Sequence, residues 1–524
     1  MIDVQVLLAA LPARIDAIPR AAAARTPDAP ALCEGKAEAG RTLSYAALVA
    51  EVDRHAALLR ERGVRPGDRV LLVSENCIAQ VALIFAASTI GAWIVNLNPR
   101  LSAPEIDAIQ LHCGARLALY TAAVSPEAAA HAARAGALPF GESGVMIGPL
   151  NDACVPEPAA GDTAAGDPAA GDQVAALVYT TGTTGQPKGV MLSHRNLLFV
   201  AGVSSRLRGL VPQDRVWGVL PIAHVYGLTS VLLGTLSAGA CLQLAPRFTP
   251  AAMLRAIRDD GLTIVQGVPA MYARLLELTG DARLPSTLRF AYAGGSPLDP
   301  GLKRRVEALL GLPLHNGYGL SEAAPTVSQT RLDAPRGDTS VGQPIPGVEV
   351  RIVDKGGCDV ADGSAGELWV RGPNVMRGYY REPLLTAAAL RPGGWLNTGD
   401  MARREDDGNG DGALFIVGRT RELIIRSGFN VFPLEVETVL NAHPGVTQSA
   451  VVGKAVADGN EEVVAFVQAD PGRPVDVEEL QAWSAERLAP YKRPGRIILM
   501  KALPAAVTGK ILKHELKELA ADLT

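Results

Sequence analysis

The sequence has little of what marks several large classes of protein. Aromatic residues make up only 5% of its 524 residues, which argues against a base-stacking surface. It has six cysteines, too widely spaced for a CxxC pair or a zinc site. Lysine and arginine number 50 against 54 aspartates and glutamates, so no basic excess favours nucleic acid or acidic lipid. Because a long, cysteine-poor chain is typical of a reducing compartment, we expect a cytoplasmic protein.

Long apolar runs without polar interruption are also absent. Residues 76–99 and 216–246 are uncharged, but the first contains three asparagines and a glutamine, and the second contains Pro221, His224 and four glycines. Both patterns favour buried helix-plus-strand segments over membrane spans. The first residues carry Asp3 and no basic segment, which predicts a helix and not a secretory signal. We therefore expect no integral membrane segment.

What the chain does have is a large apolar fraction, 48%, arranged in alternating strand and helix patterns. An amphipathic helix over 43–62 precedes a strand at 68–73, and a helix at 79–90 precedes a strand at 93–96. This rhythm predicts an α/β fold with parallel sheets covered by helices. At roughly 150 residues per domain, the length suggests three or four structural units.

Composition shifts suggest where those units meet. Residues 151–172 contain Ala-Ala-Gly-Asp three times, which is typical of a solvated linker. Short strands with glycine turns over 333–404 predict a small β-rich subdomain, and an α+β tail follows residue 418. We expect an N-terminal domain over 1–420 and a C-terminal domain over 421–524. Helices of the tail are predicted at 433–441, 477–488 and 510–520.

The strongest local signal is the run AALVYTTGTTGQPKGVMLSH at 175–194. An apolar strand over 175–179 leads into a loop that holds four threonines, three glycines and Lys188 within ten residues. Backbone N–H groups, hydroxyls and an ammonium together suit a polyanion such as a chain of phosphates. The GxxxxGK[ST] spacing of a Walker A loop is absent.

This loop resembles the signature of the adenylate-forming enzymes, which include acyl-CoA synthetases, aryl-CoA ligases, luciferases and the adenylation domains of peptide synthetases. Matches recur in the family's order from about residue 25 to the C-terminus. The resemblance implies that ATP, Mg²⁺ and coenzyme A are the cofactors or co-substrates. It also implies that the loop binds the nucleotide through Thr180, Thr181, Gly182, Thr183, Thr184, Gly185 and Lys188.

Two further runs complete the predicted nucleotide site. RFAYAGGSPL at 289–298 and HNGYGLSEAAP at 315–325 place glycines after strands, where a backbone can approach a flat ligand, and Tyr318 offers a ring for adenine. By resemblance Glu322 coordinates Mg²⁺, and Ser321 keeps the hydroxyl of the family's usual threonine. The residues so implied in nucleotide binding are Gly294, Gly295, Ser296, His315, Asn316, Gly317, Tyr318, Gly319 and Ser321.

The C-terminal half supplies the predicted ribose, hinge and catalytic groups. Asp400, in WLNTGDM, follows a glycine turn and can accept both ribose hydroxyls, and Arg419 matches an arginine near the ribose and phosphate. Arg421 lies at the family's hinge, where aspartate or lysine is common in relatives. Lys510, in TGK, resembles the catalytic lysine of adenylation, since a flexible cation can neutralise charge on a transferring phosphate. We expect it at the start of the last helix.

Two binding regions follow from the resemblance alone. Ser427-Gly-Phe-Asn and APYKRP resemble the segments that contact CoA, which implies roles for Gly428, Tyr491 and Arg493. PIAHVYGL resembles a wall of the acid pocket, and no aspartate stands there to bind an amino acid's ammonium, which favours an aromatic or medium-chain apolar acid. The residues implied in that pocket are His224, Tyr226, Ser230, Gly319, Pro325 and Thr326.

The predicted activity is therefore that of an ATP-dependent acid:CoA ligase, with a small carboxylic acid, ATP and CoA as partners. The resemblance implies catalytic roles for Lys510, Glu322, Thr181, Thr184 and His224. Three alternatives stay open: transfer of the acyl group to a carrier protein or other partner, a non-catalytic nucleotide sensor, and a membrane-associated very-long-chain synthetase. The persistence of all the charged motif residues argues against the sensor. The sequence leaves monomer and homodimer open.

Overall fold

The computed structural model describes residues 3–35, 40–141, 144–157, 170–181, 187–280, 282–405, 412–426, 429–456, 460–470, 472–505 and 511–523. The helices are α1 (Val4–Ala10), α2 (Ala17–Arg25), α3 (Tyr45–Glu61), α4 (Ile78–Ile90), α5 (Ala103–Cys113), α6 (Pro126–Arg134), α7 (His194–Leu207), α8 (Gly234–Ser237), α9 (Pro250–Arg258), α10 (Pro269–Thr279), α11 (Pro300–Leu310), α12 (Pro383–Ala389), α13 (Pro433–Asn441), α14 (Val477–Arg487) and α15 (Lys513–Ala521).

The strands are β1 (Pro30–Glu34), β2 (Arg41–Ser44), β3 (Arg69–Val73), β4 (Trp93–Leu97), β5 (Leu117–Tyr120), β6 (Leu138–Phe140), β7 (Val145–Ile147), β8 (Val174–Thr181), β9 (Pro187–Ser193), β10 (Arg215–Gly218), β11 (Cys241–Leu244), β12 (Ile264–Gly267), β13 (Phe290–Ala293), β14 (Leu314–Gly319), β15 (Thr326–Gln329), β16 (Gln343–Pro344), β17 (Glu349–Val353), β18 (Gly366–Arg371), β19 (Gly378–Tyr379), β20 (Leu390–Arg391), β21 (Trp395–Glu405), β22 (Ala413–Arg419), β23 (Ile424–Arg426), β24 (Phe429–Val431), β25 (Val446–Ala455), β26 (Glu461–Ala469) and β27 (Arg496–Met500).

Two large sheets form the N-terminal part and confirm the predicted α/β fold. One has nine strands in the order β16-β15-β14-β13-β12-β10-β11-β1-β2, and the other has eight in the order β19-β9-β8-β4-β3-β5-β7-β6. Their central pairs, such as β12–β13, β13–β14 and β3–β4, are parallel. Helices join these parallel strands, because a crossover must return the chain to the same end of the sheet.

Local signals explain where several helices begin. The Ser44 side chain accepts a hydrogen bond from the Ala47 N–H and starts α3, which agrees with the helix expected over 43–62. Ser193 and Asn196 form a reciprocal capping box at α7. A buried π-helical segment, Tyr226–Leu233, packs against α7 in the main core.

The two uncharged stretches do not form membrane-spanning helices. Among the described residues, no helix is both long and apolar enough to cross a bilayer.

The predicted β-rich subdomain is a five-stranded sheet of β17, β18, β20, β21 and β22. It extends beyond the expected end at residue 404, because β22 pairs with β21 and places Arg419 opposite Asp400. The chain then forms the β23–β24 hairpin and a three-stranded sheet, β25-β26-β27, covered by α13, α14 and α15.

The last helix begins later than the sequence predicted. We expected it over 510–520, but α15 spans Lys513–Ala521. The reason is an isolated antiparallel bridge between Ala505 and Ile511, which keeps the backbone extended just before the helix. Lys510 itself lies outside the described residues.

Candidate functional site

Glycines let two strands end close to one another at the carboxyl edge of the nine-stranded sheet. Gly294 and Gly295 follow β13, and Gly317 and Gly319 lie on the adjacent β14. A Cβ on Gly317 would lie 1.9 Å from Tyr292 Oη, and one on Gly319 would lie 2.2 Å from the Pro325 carbonyl oxygen. Only glycine fits these two positions, because the protein's own atoms fill the space that a Cβ would take. The approach of a flat ligand to this backbone stays a prediction. Ser296 follows the glycines and is exposed.

The predicted adenine and ribose residues contact each other. Tyr318 Oη donates a hydrogen bond to Asp400 Oδ2 at 2.5 Å, and Arg419 Nε lies 3.5 Å from Asp400 Oδ1. Burial raises the pKa of Tyr318 well above its usual value, and the Asp400 charge raises it further. The phenol therefore stays protonated and holds the carboxylate in place.

The predicted metal ligand has a partner that sequence reasoning missed. Glu322 Oε1 accepts a hydrogen bond of 2.8 Å from Tyr379 Oη, and Lys188 Nζ lies 5.7 Å from the centroid of the Tyr379 ring. β19 pairs with β9, and this pairing places Tyr379 opposite Val190, two residues after Lys188. The one available signal was the run Gly-Tyr-Tyr at 378–380, unusual in a chain so poor in aromatics.

Arg421, the predicted hinge residue, lies within electrostatic reach of both groups. Burial lowers its pKa from the usual value, and the Arg419 charge lowers it further. The carboxylates of Glu422, Asp400 and Glu322 act in the opposite direction. The two carboxylates predicted for ribose and metal thus both interact electrostatically with Arg421 at the predicted domain boundary.

Two of the predicted nucleotide residues have their side chains in the core. His315 stacks on Phe290, with ring centroids 5.0 Å apart, and its Nδ1 lies 3.1 Å from Thr330 Oγ1. Burial lowers the pKa of His315 to about 4. Asn316 donates to the carbonyls of Thr339 and Ser340 and so fixes the neighbouring loop. Their position on β14 leaves the backbone, not the side chains, beside the glycines. Thr180 lies one residue before the end of β8 in the other large sheet, and Ser321 is buried just after β14.

Most residues predicted for the acid pocket lie together. Ser230 Oγ is 3.4 Å from Thr326 Oγ1, and Gly319 pairs with Thr326 across β14 and β15. Tyr226 is buried, and its ring packs edge-on against Tyr292 with centroids 6.3 Å apart. His224 lies just before the π-helical segment and is exposed. The structure thus groups the wall residues, with the histidine at the outer end.

The residues predicted to contact CoA lie beside the β23–β24 hairpin, in the short 3-10 helix Pro490–Lys492 and just after it. Tyr491 stacks on Phe429 with ring centroids 4.6 Å apart, and Phe429 is 55% exposed. Arg493 donates from Nε and Nη2 to the carbonyls of Leu488 and Ala485 at the end of α14. The aromatic pair forms a surface, whereas the arginine caps a helix.

A half-buried lysine connects the last helix to the segment after the predicted hinge. Lys513 Nζ lies 2.7 Å from Glu437 Oε1 and 3.1 Å from Glu422 Oε2. Burial acts to lower the pKa of Lys513, but the two carboxylates raise it overall. The start of α15 is therefore tied both to α13 and to the turn that follows Arg421.

Several predicted site residues stay predictions. Gly182, Thr183, Thr184, Gly185, Gly428 and Lys510 lie outside the described residues, and only the backbone of Thr181 is described. Glu322 fits a Mg²⁺ ion bound mainly through nucleotide phosphates and water, because that ion commonly takes only one or two protein carboxylates. In the described part of the chain, no cluster of three or more histidine, cysteine or acidic side chains offers a complete protein cage.

Comparison with known proteins identifies the family. The AMP-binding enzyme family matches residues 19–380, and its C-terminal domain matches residues 435–510. The chain belongs to the AMP-binding enzymes. This confirms the resemblance to adenylate-forming enzymes that the loop motifs predicted.

Similar proteins include several CoA ligases. A feruloyl-CoA synthase from Amycolatopsis sp is 37% identical over 91% of this chain and 94% of its own length. A 2-succinylbenzoate–CoA ligase from Geobacillus kaustophilus is 34% identical over 94% and 96% of the two chains. ATP-bound MatB from Rhodopseudomonas palustris has a similar structure, with a TM-score of 0.82, 31% identity and coverage of 97% and 99%. This AMP-binding enzyme thus shares its fold with proteins that bind ATP.

Proposed function

We propose that this chain is an ATP-dependent acid:CoA ligase. It joins a carboxylate to ATP as an acyl-adenylate, releases pyrophosphate, and then passes the acyl group to CoA with release of AMP. The observation that carries the proposal is that residues suited to a ribose and residues suited to phosphates lie near the same edge of the nine-stranded sheet. Tyr318, Asp400 and Arg419 suit a ribose, and Lys188 with Glu322 suits the phosphates and their metal. The CoA ligases among the relatives support the same activity.

The adenylation step makes a good leaving group from a poor one. A carboxylate oxygen attacks the α-phosphorus, and the bond from that phosphorus to the bridging oxygen of pyrophosphate breaks. Negative charge builds on the phosphate oxygens, where Lys510 and the hydroxyls of Thr181 and Thr184 are proposed to stabilise it. Asp400 would accept hydrogen bonds from the two hydroxyls of the ribose, and Tyr318 would fix the position of the Asp400 carboxylate.

Glu322 would hold Mg²⁺, with Tyr379 orienting its carboxylate. When bound, the ion supplies positive charge to the phosphate oxygens. The Tyr379 phenol keeps Oε1 of the carboxylate fixed in direction, and Lys188 adds a second cation on the same side.

The thioester step is proposed to follow a rotation of the C-terminal domain about Arg421. This motion would carry Lys510 away and bring Gly428 to a narrow channel for the CoA thiol. The stacked rings of Phe429 and Tyr491 offer an exposed aromatic surface next to that channel. His224 would form the gate or wall between the channel and the acid.

The acid is proposed to be aromatic or of medium chain length. The buried wall around Tyr226 and Ser230 supports this, as do relatives whose names specify ferulate and succinylbenzoate. We also propose a cytoplasmic location, since all six cysteines are free thiols.

The test is pyrophosphate release from Mg-ATP with a panel of benzoates, cinnamates and C2–C16 fatty acids, with and without CoA. Acid-dependent release that CoA accelerates, with acyl-CoA identified by mass, is the expected result. Acid-dependent release that ignores CoA would overturn CoA as the acceptor and favour a carrier protein. If the protein binds ATP but releases no pyrophosphate with any acid, the proposed ligase activity is wrong.

A further inference from the structure

A buried arginine lies close to the residues predicted for the acid pocket, and no described carboxylate pairs with it. Arg208, just after α7, is 1% exposed. Its Nη1 donates to Gln266 Oε1 at 2.7 Å, and its guanidinium carbon lies 4.4 Å from the centroid of the Tyr292 ring. Its Nε has no hydrogen-bond partner in the described part of the chain, and no described carboxylate forms an ion pair with it.

Another buried arginine shows what a purely structural role looks like. Arg69 is also 1% exposed, but its nitrogens donate to four backbone carbonyls, those of Gly67, Cys113, Gly114 and Val155. Burying a cation without such partners is strongly unfavourable, and a cation–π contact offsets only part of that cost. Arg208 therefore has capacity for a partner that the described protein does not supply.

The neighbours of this arginine have unused hydrogen-bonding groups as well. Gln266 Nε2 and Tyr226 Oη are buried and have no partner among the described residues. Gln266 stands opposite Tyr292 in the β12–β13 register, and the Tyr292 ring contacts that of Tyr226. Three donors of different chemistry, a guanidinium, a carboxamide and a phenol, thus gather around one tyrosine ring.

This group lies beside the residues predicted for the acid pocket, because Tyr226 is one of them and its ring contacts Tyr292. The carbonyl of Gly209, next to Arg208, accepts a hydrogen bond of 2.7 Å from Arg289, which lies just before β13. Gly294 follows the other end of the same strand, at the sheet edge where the nucleotide groups meet. A ligand whose carboxylate reacts at that edge would extend along the strand toward Arg208.

We propose that Arg208, Gln266 and Tyr226 bind an oxygen acceptor at the end of the acid remote from its reacting carboxylate. The inference rests on the proposed ligase activity and narrows its substrate to aromatic acids with a hydroxyl, an ether oxygen or a second carboxylate at the far end. Such an oxygen accepts hydrogen bonds from all three donors, and an anionic one also neutralises the guanidinium.

The test compares matched acids on wild type and variants: cinnamate, its 4-hydroxyl derivative and its 4-carboxylate derivative. For wild type we expect kcat/KM to be at least about 10-fold higher with a 4-oxygen, because losing a hydrogen bond to a charged group costs that much. In Arg208→Met the ratio of substituted to unsubstituted acid should fall about 10- to 100-fold. If the arginine variant does not fold, Gln266→Leu replaces it as the test. This neutral change should lower the same ratio.

Arg206→Met is the matched control, because Arg206 is exposed and donates a hydrogen bond to the backbone carbonyl of Gly202, one helical turn earlier. It should leave the ratio unchanged. A larger effect on the carboxylate than on the hydroxyl derivative would identify an anion as the preferred partner. Equal turnover of all three acids by wild type, or equal loss for all three in Arg208→Met, would overturn the inference while the ligase stands. CoA-dependent turnover of none of the panel acids would instead overturn the ligase itself.

Discussion

Replacing Tyr379 by phenylalanine should weaken the response to Mg²⁺ without removing the metal ligand. The change deletes the 2.8 Å hydrogen bond to Glu322 Oε1 and keeps the ring near Lys188. Burial raises the pKa of Tyr379, and the Glu322 charge raises it further, so the phenol donates throughout the neutral range. A hydrogen bond to a charged group is worth about 1.5–3 kcal/mol, and loss of such an outer partner costs about 10- to 100-fold in metal affinity.

The assay is acid-dependent pyrophosphate release over a series of free Mg²⁺ concentrations at saturating ATP. Half-saturation should move about 10-fold higher in Tyr379→Phe. Tyr380→Phe is the control, since it loses the same phenol but one that donates to Glu157. If both variants shift alike, or if neither shifts, the orienting role of Tyr379 is refuted.

Other predictions follow from packing, charge and pH. Gly317→Ala places a Cβ 1.9 Å from Tyr292 Oη and so displaces the backbone proposed to lie against the nucleotide. ATP binding measured by calorimetry should fall at least about 10-fold, and binding like that of wild type would show that ATP does not use this backbone. Lys513→Met should lower the unfolding free energy by about 1.5–3 kcal/mol in urea titrations, because it removes the cation that Glu422 and Glu437 share, whereas the exposed Lys517→Met should change it little; equal effects would contradict the pairing. His315 has a folded-state pKa of about 4, below the unfolded value near 6.5, so stability should fall as pH drops from about 6.5 to 4. His315→Asn should remove about 3 kcal/mol of that fall in urea midpoints, and an unchanged pH profile would contradict the burial argument.

Much of the architecture could be predicted because local signals coincide with it. Ser44 begins α3 as expected, and Pro433 at the first helical position gives α13 the predicted bounds. The glycines at 317 and 319 mark close backbone approaches that the structure contains. Such features depend on neighbours in sequence, which is why a single sequence reveals them.

Contacts between distant segments could not be predicted in the same way. Tyr379 reaches Glu322 through the pairing of β19 with β9, and Arg208 reaches Gln266 across a gap of 58 residues. The sequence pattern does not indicate either pairing, since the Gly-Tyr-Tyr run at 378–380 does not point to Glu322. The late start of α15 is similar, because it depends on the Ala505–Ile511 bridge and not on helix propensity.

The most direct test of the two-step account separates its half-reactions. Wild type should exchange labelled pyrophosphate into ATP with an acid present and no CoA, because the adenylate forms before CoA reacts. Lys510→Ala should lose this exchange by about 10²- to 10³-fold, yet still convert a supplied acyl-adenylate and CoA to acyl-CoA. Exchange that requires CoA, or equal loss of both half-reactions in Lys510→Ala, would contradict the account.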